Sequence, residues 1–434
     1  MMTIFALSTA NGIAGLAVIR VSGHLALTAL KTLSRKSHFE PNVMTRTSFF
    51  DPSTSELIDK GLAVFFSKPN SFTGEDVAEI HIHGGISTVN LALKALGSID
   101  QLRLAEPGEF SKRAFINNKM DLTAIEAMGD LINAQTEVQH SQALGQMGGS
   151  LNKLYMSWRK ALIELVAYLE AEIDFSEEDI PEDILKNTNS KIDNLLQEMN
   201  QHLNERHQGE ILRDGFRVAI IGAPNVGKSS LLNTLAERDV AIVSDEAGTT
   251  RDAIEVRLNV SGYPVIFTDT AGLRETTDSI EQKGIEVTHK KISESNLVIE
   301  IFDNSTKLEF KDDHLIVLNK CDQVNQEKFK FKSAINISAK SGEGIDDLLE
   351  VVSSKVKENF LQQSATVPTK TRYILSVQKT VQSLLNAKNI NLISQTELIA
   401  EELRLAINEI GRLTGAVDVE EYLEVIFRDF CIGK

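Results

Sequence analysis

A glycine-rich segment in the middle of the chain has the spacing of a phosphate-binding loop. Gly222-Ala-Pro-Asn-Val-Gly227-Lys228-Ser229 follows the apolar run FRVAIIG and opens a helix-like run, which is the context that this motif requires. Its glycines let backbone N–H groups close around phosphate oxygens, and the helix N-terminus adds partial positive charge. Lys228 is expected to reach the β- and γ-phosphates, and Ser229 to ligate Mg²⁺.

Two further motifs would complete the phosphate end of such a site. GTTRD at residues 248–252 lies in a polar stretch, where a threonine of the first switch region should complete the Mg²⁺ shell, and we predict Thr250 for this role. DTAG at residues 269–272 follows an apolar strand. This places Asp269 near Mg²⁺ as the Walker-B carboxylate and Gly272 at the γ-phosphate.

The last two motifs would select the base. NKCD at residues 319–322 ends another strand, and Asp322 can accept two hydrogen bonds from guanine N1–H and the N2 amino group. Adenine lacks that amino group and would leave the carboxylate unpaired, so the motif favours GTP over ATP. SAK at residues 338–340 is expected to supply a backbone N–H to guanine O6. The residues predicted to bind GTP are Asn225, Val226, Gly227, Lys228, Ser229, Ser230, Ser244, Asp245, Glu246, Ala247, Gly248, Thr249, Thr250, Asp269, Thr270, Ala271, Gly272, Asn319, Lys320, Asp322, Ser338, Ala339 and Lys340.

The hydrolytic machinery departs from the Ras pattern at one position. Leu273 follows the DTAG glycine, where Ras-type enzymes carry a glutamine that orients the attacking water. Water positioning and charge neutralisation must therefore come from other residues, a partner or a cation. Glu281 is a candidate carboxylate, or else a solvated helix residue. Asn225 is a candidate ligand of a monovalent cation, or else a turn former.

Composition and charge restrict the class of protein. The chain has 434 residues, which predicts two to four domains. Its net charge of −16 argues against a broad cationic coat for nucleic acid, although a local basic patch remains compatible with it. No apolar run approaches the ~18 residues of a membrane span, and no signal-peptide pattern opens the sequence. Two distant cysteines indicate a reducing compartment, so we expect a cytoplasmic protein.

The elements that must position these motifs change type along the chain. Residues 1–118 mix short apolar strands with turns and predict an α+β domain. Residues 119–214 and 359–434 have helical periodicity. Residues 215–358 alternate strands with helices, as in a doubly wound parallel α/β domain. We therefore predict a GTPase domain (215–358) inserted into a discontinuous helical domain (119–214 and 359–434) and preceded by an N-terminal domain (1–118).

With these motifs in this order, the chain resembles the MnmE (TrmE) family of tRNA-modification GTPases. SFTGEDVAEIHIHGG, PGEFSKRAFINNKMDL, EIDFSEEDIP, GAPNVGKSS, GTTRD, DTAGLRE and the terminal CIGK carry the resemblance. It implies addition of an aminomethyl or carboxymethylaminomethyl group to the wobble uridine of certain tRNAs. It also implies a homodimer, a flavin-dependent partner of the MnmG/GidA family, and K⁺-dependent GTP hydrolysis by GTPase domains that pair across their nucleotide faces.

The resemblance assigns cation ligands by motif position. It implies that Ser229 and Thr250 hold Mg²⁺ and that Glu281 orients the attacking water. K⁺ would sit where an arginine finger sits in other enzymes, neutralising charge that develops between the β- and γ-phosphates. Its implied ligands are Asn225, Ser244, Glu246 and Thr249.

The first domain resembles the tetrahydrofolate-binding domain of the glycine-cleavage T-protein, which implies a bound one-carbon folate. The implied contacts are Arg20, Glu79, Lys119 and Lys434. A carboxylate matches the amino-pyrimidine edge of a pterin, and cations suit the glutamyl tail.

Two nearby features leave alternatives open. The basic segment SKRAFINNK at residues 111–119 could touch either folate or tRNA. His81 and His83 alternate on a strand and could face one way, but no third metal ligand stands at a recognisable spacing. His83 is therefore expected to belong to the loop of the folate domain.

The C-terminal CIGK has the position of a prenylation box but not its residues. Gly433 and Lys434 do not fit that motif, so we expect no lipid anchor. The resemblance implies that the tail reaches the folate domain of the same or a partner subunit. Cys431 is then a candidate for the modification chemistry, as nucleophile, acid or spacer.

One rival function is a ribosome-assembly GTPase of the Era/EngA kind. That function predicts an RNA-binding module with a GxxG loop and basic flanks beside the GTPase domain, and we find no such module in the sequence. A membrane-recruited Ras-like switch would need a lipid signal, which the C-terminus does not provide.

Overall fold

The computed structural model describes residues 2–174, 182–238, 240–242, 255–269, 291–303, 313–323, 334–360, 365–390 and 395–417, with Leu423, Ile426, Phe430 and Gly433. The chain divides into two compact units. The first is Met1–Gly129 with Ile410–Lys434, and the second is Asp130–Glu409. The domain boundaries inferred from the sequence remain predictions.

The first unit is built on a mixed sheet whose described strands have the order β3-β4-β5-β2-β1-β6. Neighbouring strands are antiparallel except β1 and β6, which run parallel. The strands are β1 (Thr3–Leu7), β2 (Ala14–Ser22), β3 (Thr45–Phe50), β4 (Leu57–Phe66), β5 (Val77–Gly84) and β6 (Leu102–Leu104).

The two faces of this sheet have different roles, because alternate residues of a strand point to opposite sides. One face packs against α1 (Ala26–Ser34) and α2 (Ile86–Gly97) in a core that includes Phe5, Ile19 and Ile80. The other face carries a smaller apolar cluster of Ile4, Ala6, Ala105 and Phe110, with Phe72 packed against it. Phe110 lies on α3 (Glu109–Ile116). The rest of this second face, which we call the open face, presents the side chains of Arg20 and Glu79.

The helices of the second unit begin with α4 (Leu122–Asn133), which spans the boundary between the units. The second unit contains a buried aromatic group in which the rings of Tyr155, Trp158, His202 and Tyr373 meet at centroid distances of 5.3–6.0 Å. The helices are α5 (Glu137–Met147), α6 (Ser150–Asp174), α7 (Glu182–Asn204), α8 (Arg206–Asp214), α11 (Thr371–Asn389) and α12 (Thr396–Thr414). Among the described residues, no helix is both long and apolar enough for a membrane span.

The second sheet follows α8 directly. Its described strands have the order β12-β11-β10-β7-β9-β8, all parallel except the edge strand β8. The elements are β7 (Phe216–Gly222), α9 (Lys228–Ala236), β8 (Glu255–Val260), β9 (Tyr263–Asp269), β10 (Leu297–Phe302), β11 (His314–Leu318), β12 (Ile335–Asn336) and α10 (Ile345–Glu358). The predicted α/β fold with flanking helices is confirmed.

The chain leaves the helices and returns to them at neighbouring points. Arg213, just before β7, donates from Nη1 to the carbonyl oxygen of Thr369 at 3.1 Å. Gln146 on α5 donates from Nε2 to the Val367 carbonyl at 2.9 Å. Gly209 allows the closest approach, since a Cβ atom there would lie 1.9 Å from the Pro368 carbonyl oxygen. Adjacent ends are what an inserted α/β segment requires.

Candidate functional site

The glycine-rich loop connects β7, a central strand, to α9. β7 lies between β9 and β10, so the loop stands where the strand order reverses, the usual ligand position in such sheets. Gly222 and Gly227 have φ values of 151° and 105°. A Cβ atom at Gly222 would lie 2.4 Å from the Ile301 carbonyl oxygen, and one at Gly227 would lie 2.1 Å from Asn319 Nδ2. Larger residues are therefore excluded at both positions.

Lys228 begins α9 and is nearly buried. Its Nζ donates to the carbonyl oxygens of Gly222 and Ala223, both at 2.9 Å. The ammonium group is thus held over the loop, at a helix N-terminus. Backbone N–H groups and a lysine charge converging on one loop form an anion-binding site.

Ser229 and Asp269 come together beside this loop. The Ser229 hydroxyl donates to Asp269 Oδ2 at 3.0 Å, and Asp269, at the end of β9, is buried. A hydroxyl and a carboxylate are the oxygen ligands with which phosphate-loop enzymes hold Mg²⁺. The predicted Mg²⁺ ligand Thr250 lies outside the described residues.

The NKCD segment is tied to the phosphate loop through Asn319. Asn319 Nδ2 donates to the Val226 carbonyl oxygen at 2.7 Å, and Asn319 Oδ1 accepts from the Ala339 N–H at 2.9 Å. All three residues are buried. One carboxamide therefore joins the phosphate loop, the NKCD segment and the SAK segment.

Lys320 reinforces this connection. Its Nζ donates to the Asn225 carbonyl oxygen at 2.9 Å and to Asp303 Oδ2 at 2.7 Å. Asn225 has a φ of 64°, a left-handed conformation that asparagine tolerates better than most residues.

The base end of the site lies beyond these ties. Asp322 belongs to a short 3₁₀ helix, Cys321–Gln323, and is exposed, as a ligand-binding carboxylate would be. Burial, together with the charges of Glu343 and Asp322, raises the pKa of the Cys321 thiol, so this cysteine is a neutral spacer. The Ala339 N–H is already donated to Asn319, so contact with guanine O6 would require it to be shared.

Three more of the predicted GTP-binding residues lie in the described part of the chain. Ser230 is exposed on α9, Ser338 is buried and Lys340 is exposed, all near the ties just described. Those outside the described residues are Ser244, Asp245, Glu246, Ala247, Gly248, Thr249, Thr250, Thr270, Ala271, Gly272 and Glu281. Their roles remain predictions.

The first unit holds a second polar site on its open face. Arg20 and Glu79 are directly opposed on β2 and β5, and Arg20 Nε donates to Glu79 Oε1 at 3.0 Å. The Arg20 guanidinium also lies 5.1 Å from the ring centre of Phe72 and 5.8 Å from that of Phe110. The pair is thus fixed between a sheet and two aromatic rings.

His81 adds a second contact to the Glu79 carboxylate. Its Nε2 lies 3.4 Å from Glu79 Oε2, a long contact. The imidazole of His81 and then the charge of Arg20 lower the pKa of Glu79, against the opposing effect of burial. Glu79 is therefore an ionised acceptor at neutral pH. Among the described residues, no group of three potential metal ligands occurs.

Lys119 reaches the same region through the loop between β4 and β5. Its Nζ donates to the Pro69 carbonyl oxygen at 3.0 Å, and Asn117 Nδ2 donates to the Thr73 carbonyl at 2.7 Å. The same loop contributes Phe72, which contacts Arg20. Arg20, Glu79 and Lys119 are therefore connected by residues 69–79.

Gly433, near the C-terminus, lies against the end of β1. The Ser8 hydroxyl donates to the Gly433 carbonyl oxygen at 3.1 Å. Gly433 has a φ of 100°, and a Cβ atom there would lie 2.1 Å from the Leu7 carbonyl oxygen. The Ser8 N–H in turn donates to the Val18 carbonyl oxygen on β2. Cys431 and Lys434 lie outside the described residues, but Gly433 between them belongs to this unit.

The basic segment at residues 111–119 is partly structural. Arg113 is buried and donates to Glu75, to Glu109 and to the Met2 carbonyl oxygen at 2.8–2.9 Å. Both of its Nη atoms are therefore committed to contacts within the fold.

Sequence reasoning missed the two aromatic rings beside Arg20 and the Ser8 contact. A signal for Phe72 existed, since it lies inside the quoted SFTGED segment. Phe110 likewise lies inside the quoted PGEFSKRAFINNKMDL segment. No spacing rule connects either ring, or Ser8, with Arg20.

The second sheet, its glycine-rich loop and the tied NKCD segment define a P-loop GTPase domain. Two family models match the chain: the MnmE helical domain over residues 122–431 and the GTP-binding protein TrmE N-terminus over residues 3–119. The chain belongs to the MnmE family.

Named relatives match the whole chain. A protein of Parvibaculum lavamentivorans named tRNA modification GTPase MnmE is 47% identical over 442 residues, covering 100% of both chains. A protein of the same name from Rickettsia bellii is 43% identical over 452 residues, also covering 100% of both. Among solved structures, the FeoB G-domain of Methanococcus jannaschii is 26% identical and covers 33% of this chain and 98% of that chain, with a TM-score of 0.25.

Proposed function

We propose that this protein is the GTP-hydrolysing component that modifies C5 of the wobble uridine of certain tRNAs. The added group is aminomethyl or carboxymethylaminomethyl, with a one-carbon tetrahydrofolate as donor. The observation that carries the GTPase part is the joining of the phosphate loop to the base-selecting segment by Asn319. The named relatives support the tRNA part, since they match over their full length.

At the phosphate end, this chain's residues bind and orient the nucleotide. Lys228 moves its hydrogen bonds from the Gly222 and Ala223 carbonyls to phosphate oxygens. Ser229 and Asp269 would hold Mg²⁺, since their hydroxyl and carboxylate oxygens are of the type that this ion prefers. When bound, Mg²⁺ neutralises charge on the phosphates. Asp322 selects guanine, and the buried Asn319 keeps the two ends in register.

We assign hydrolysis to Glu281 as the group that orients water, with K⁺ supplying charge neutralisation. Asn225, Ser244, Glu246 and Thr249 would hold K⁺. Asn225 is the described member of this set. Its backbone is fixed by a left-handed φ and by the bond from Lys320 to its carbonyl oxygen, and its amide oxygen is a hard ligand of the type that K⁺ accepts. Leu273 in place of the Ras glutamine supports the need for such a cation.

Arg20, Glu79, Lys119 and Lys434 are the proposed contacts of the one-carbon folate. The ionised Glu79 suits the donor edge of a pterin, and the Phe72 and Phe110 rings beside its partner Arg20 provide apolar surface for a ring. The Ser8–Gly433 contact supports delivery of the C-terminal residues to this site. Cys431 would then act in the modification chemistry.

The proposed assembly is a cytoplasmic homodimer that works with a flavin-dependent partner of the MnmG/GidA family on tRNA. Two chains would pair their nucleotide faces and complete the K⁺ sites. The partner's flavin would supply the redox chemistry.

Nucleoside mass spectrometry of tRNA from cells lacking this protein tests the proposal. Loss of the wobble-uridine modification, restored by the wild-type gene but not by Asp322→Ala, is the expected result. Unchanged modification would refute the tRNA function and favour the ribosome-assembly alternative. For the cation, GTP hydrolysis should be faster in KCl than in NaCl, and equal rates would remove the K⁺ assignment.

A further inference from the structure

A cationic patch lies at the edge of the first unit's sheet. In a chain with a net charge of −16, residues 31–50 carry four cations, Lys31, Arg35, Lys36 and Arg46, against one anion, Glu40. Arg35, Lys36 and Arg46 are exposed. Within the described residues, none of the three forms an ion pair with a carboxylate. Their charges are therefore available to a partner.

These cations are held together rather than scattered. Lys36 Nζ donates to the Arg46 carbonyl oxygen at 2.8 Å, on the strand that forms one edge of the described sheet. The Arg35 guanidinium lies 4.4 Å from the ring centre of Phe50, at the other end of β3. A guanidinium stacked on an aromatic ring is pre-organised and keeps its N–H edges for an anion. We call Arg35, Lys36, Arg46 and Phe50 the β3-edge patch.

The nearby carboxylates are engaged elsewhere. Asp51 accepts from the backbone and hydroxyl of Ser53 within the β3–β4 turn at 2.5–2.7 Å. Asp59 accepts from the backbone and imidazole of His83 at 2.8–3.0 Å. The bonds from Ser53 lower the pKa of Asp51, and at Asp59 burial raises the pKa but is outweighed by the bonds from His83. Neither carboxylate pairs with a cation of the patch.

The strand register connects the patch to the Arg20–Glu79 site. Arg46 is opposite Leu62, and Leu62 is opposite His81, so these three side chains share the open face. Glu79 is two residues before His81 on β5, so its side chain lies on the same face of the sheet. At about 4.8 Å between strands and about 3.4 Å per residue, the Arg46 and Glu79 backbones are about 12 Å apart. A flipped-out nucleotide and its flanking phosphates can span such a separation.

We propose that the β3-edge patch binds the phosphate backbone of a single-stranded RNA loop and so brings its uridine beside the folate held at the Arg20–Glu79 site. This rests on the proposed function, since it assigns a docking surface to the tRNA. Sequence-specific RNA recognition usually targets loops whose bases are splayed and stacked. Lys36, Arg46 and Arg35 contact phosphates, and Phe50 provides a ring beside them. The patch gives an acidic protein a local means of holding a polyanion.

The test measures binding of a labelled anticodon stem-loop RNA with a wobble uridine by fluorescence anisotropy at several salt concentrations. The variant is the full chain with Arg35→Gln, Lys36→Gln and Arg46→Gln. Three lost phosphate contacts should reduce the slope of log K against log salt by about 2, at ~0.7 per contact for single strands. That corresponds to binding about 100-fold weaker at 0.1 M salt and equal at 1 M.

Two controls separate charge from folding. The charge-matched control is Lys160→Gln, Lys355→Gln and Lys388→Gln, three exposed lysines of the second unit, and its slope should equal that of the wild type. The double variant Arg35→Lys, Arg46→Lys keeps the charge and should retain most of the slope. GTP hydrolysis without RNA should be unchanged in all variants.

The outcomes distinguish the surface from the function. An unchanged slope in the triple Gln variant, or an equal loss in the lysine control, overturns the patch. So does selective loss of binding to anionic phospholipid vesicles with RNA binding intact. If the wild-type gene restores the wobble modification in cells while the patch variant binds RNA normally, only the docking surface fails. If the wild-type gene has no effect on wobble uridine, the proposed function fails whatever the slope.

Discussion

Asn319 is the residue whose replacement should reveal most about the nucleotide site. Its carboxamide makes two bonds, to the Val226 carbonyl at 2.7 Å and from the Ala339 N–H at 2.9 Å. Asn319→Ala leaves both partners buried without a bond, since Val226 and Ala339 are 1% and 4% exposed.

The size of the effect follows from these two bonds. An unsatisfied buried polar group costs about 1–3 kcal/mol. Two such groups would together cost about 2–6 kcal/mol. We take the lower part of this range, about 2–4 kcal/mol, because water can enter the opened loop. At 1.4 kcal/mol per factor of ten, the GDP dissociation constant should rise by about 30- to 700-fold.

Titration with a fluorescent GDP analogue measures this dissociation constant. Asn336→Ala is the matched control, because it removes an exposed asparagine from the same sheet, and it should change the affinity less than threefold. Fluorescence of the single tryptophan, in the helices, checks that the second unit remains folded. An Asn319→Ala variant that binds GDP within threefold of wild type would refute the role of this carboxamide.

Three other perturbations test separate parts of the structure. Gly433→Ala would place a Cβ atom 2.1 Å from the Leu7 carbonyl oxygen at a φ of 100°. The affinity for one-carbon folate, measured by equilibrium dialysis, should therefore fall at least about tenfold, while GTP hydrolysis stays unchanged. Equal folate affinity would contradict the proposed placement of the tail. Burial lowers the pKa of His202 from 6.5 to about 4. Between these pH values the unfolded chain binds a proton that the folded chain does not. The free energy of unfolding therefore decreases as the pH falls through this window, by up to about 3 kcal/mol. Urea unfolding followed by Trp158 fluorescence should show this loss, and His202→Gln should reduce it; identical pH slopes for the two proteins would count against it. Arg113→Ala leaves Glu75 and Glu109 without their buried partner and should destabilise the first unit by about 3–5 kcal/mol, as measured by circular dichroism melting. The control Lys112→Ala should change the melting little. Equal melting of the two variants would exclude a structural role for the Arg113 network.

The glycine-rich loop was predictable because its parts are local in sequence. The Gly222–Ser229 loop contains the strand end, the turn and the helix start within eight residues, and each of these has its own sequence signal. The pairing of Ser229 with Asp269 follows from parallel strands ending at one edge. The two hydrogen bonds of Asn319 could not be predicted in this way, because they join it to residues 93 and 20 positions away in the sequence.

The first unit was less accessible to sequence reasoning. Composition identifies Arg20 and Glu79 only as two charges, and their pairing depends on the register of β2 and β5. A basic segment such as SKRAFINNK indicates cations but not whether they are free. Arg113 is neutralised by Glu75, 38 residues earlier, and so becomes part of the core. Conversely, the β3-edge patch contains no recognised motif and emerges only when α1 and β3 are brought together.

The most direct test of the central proposal is reconstitution with labelled folate. The purified protein is combined with its flavoprotein partner, GTP, K⁺, an unmodified tRNA and a tetrahydrofolate carrying a ¹³C one-carbon group, and the tRNA nucleosides are analysed by mass spectrometry. We expect the label at C5 of the wobble uridine with GTP, and its loss when GTP is replaced by GDP or when Glu79→Ala is used. Wobble uridine that acquires its modification without the label, or equally well with GDP, would contradict the account.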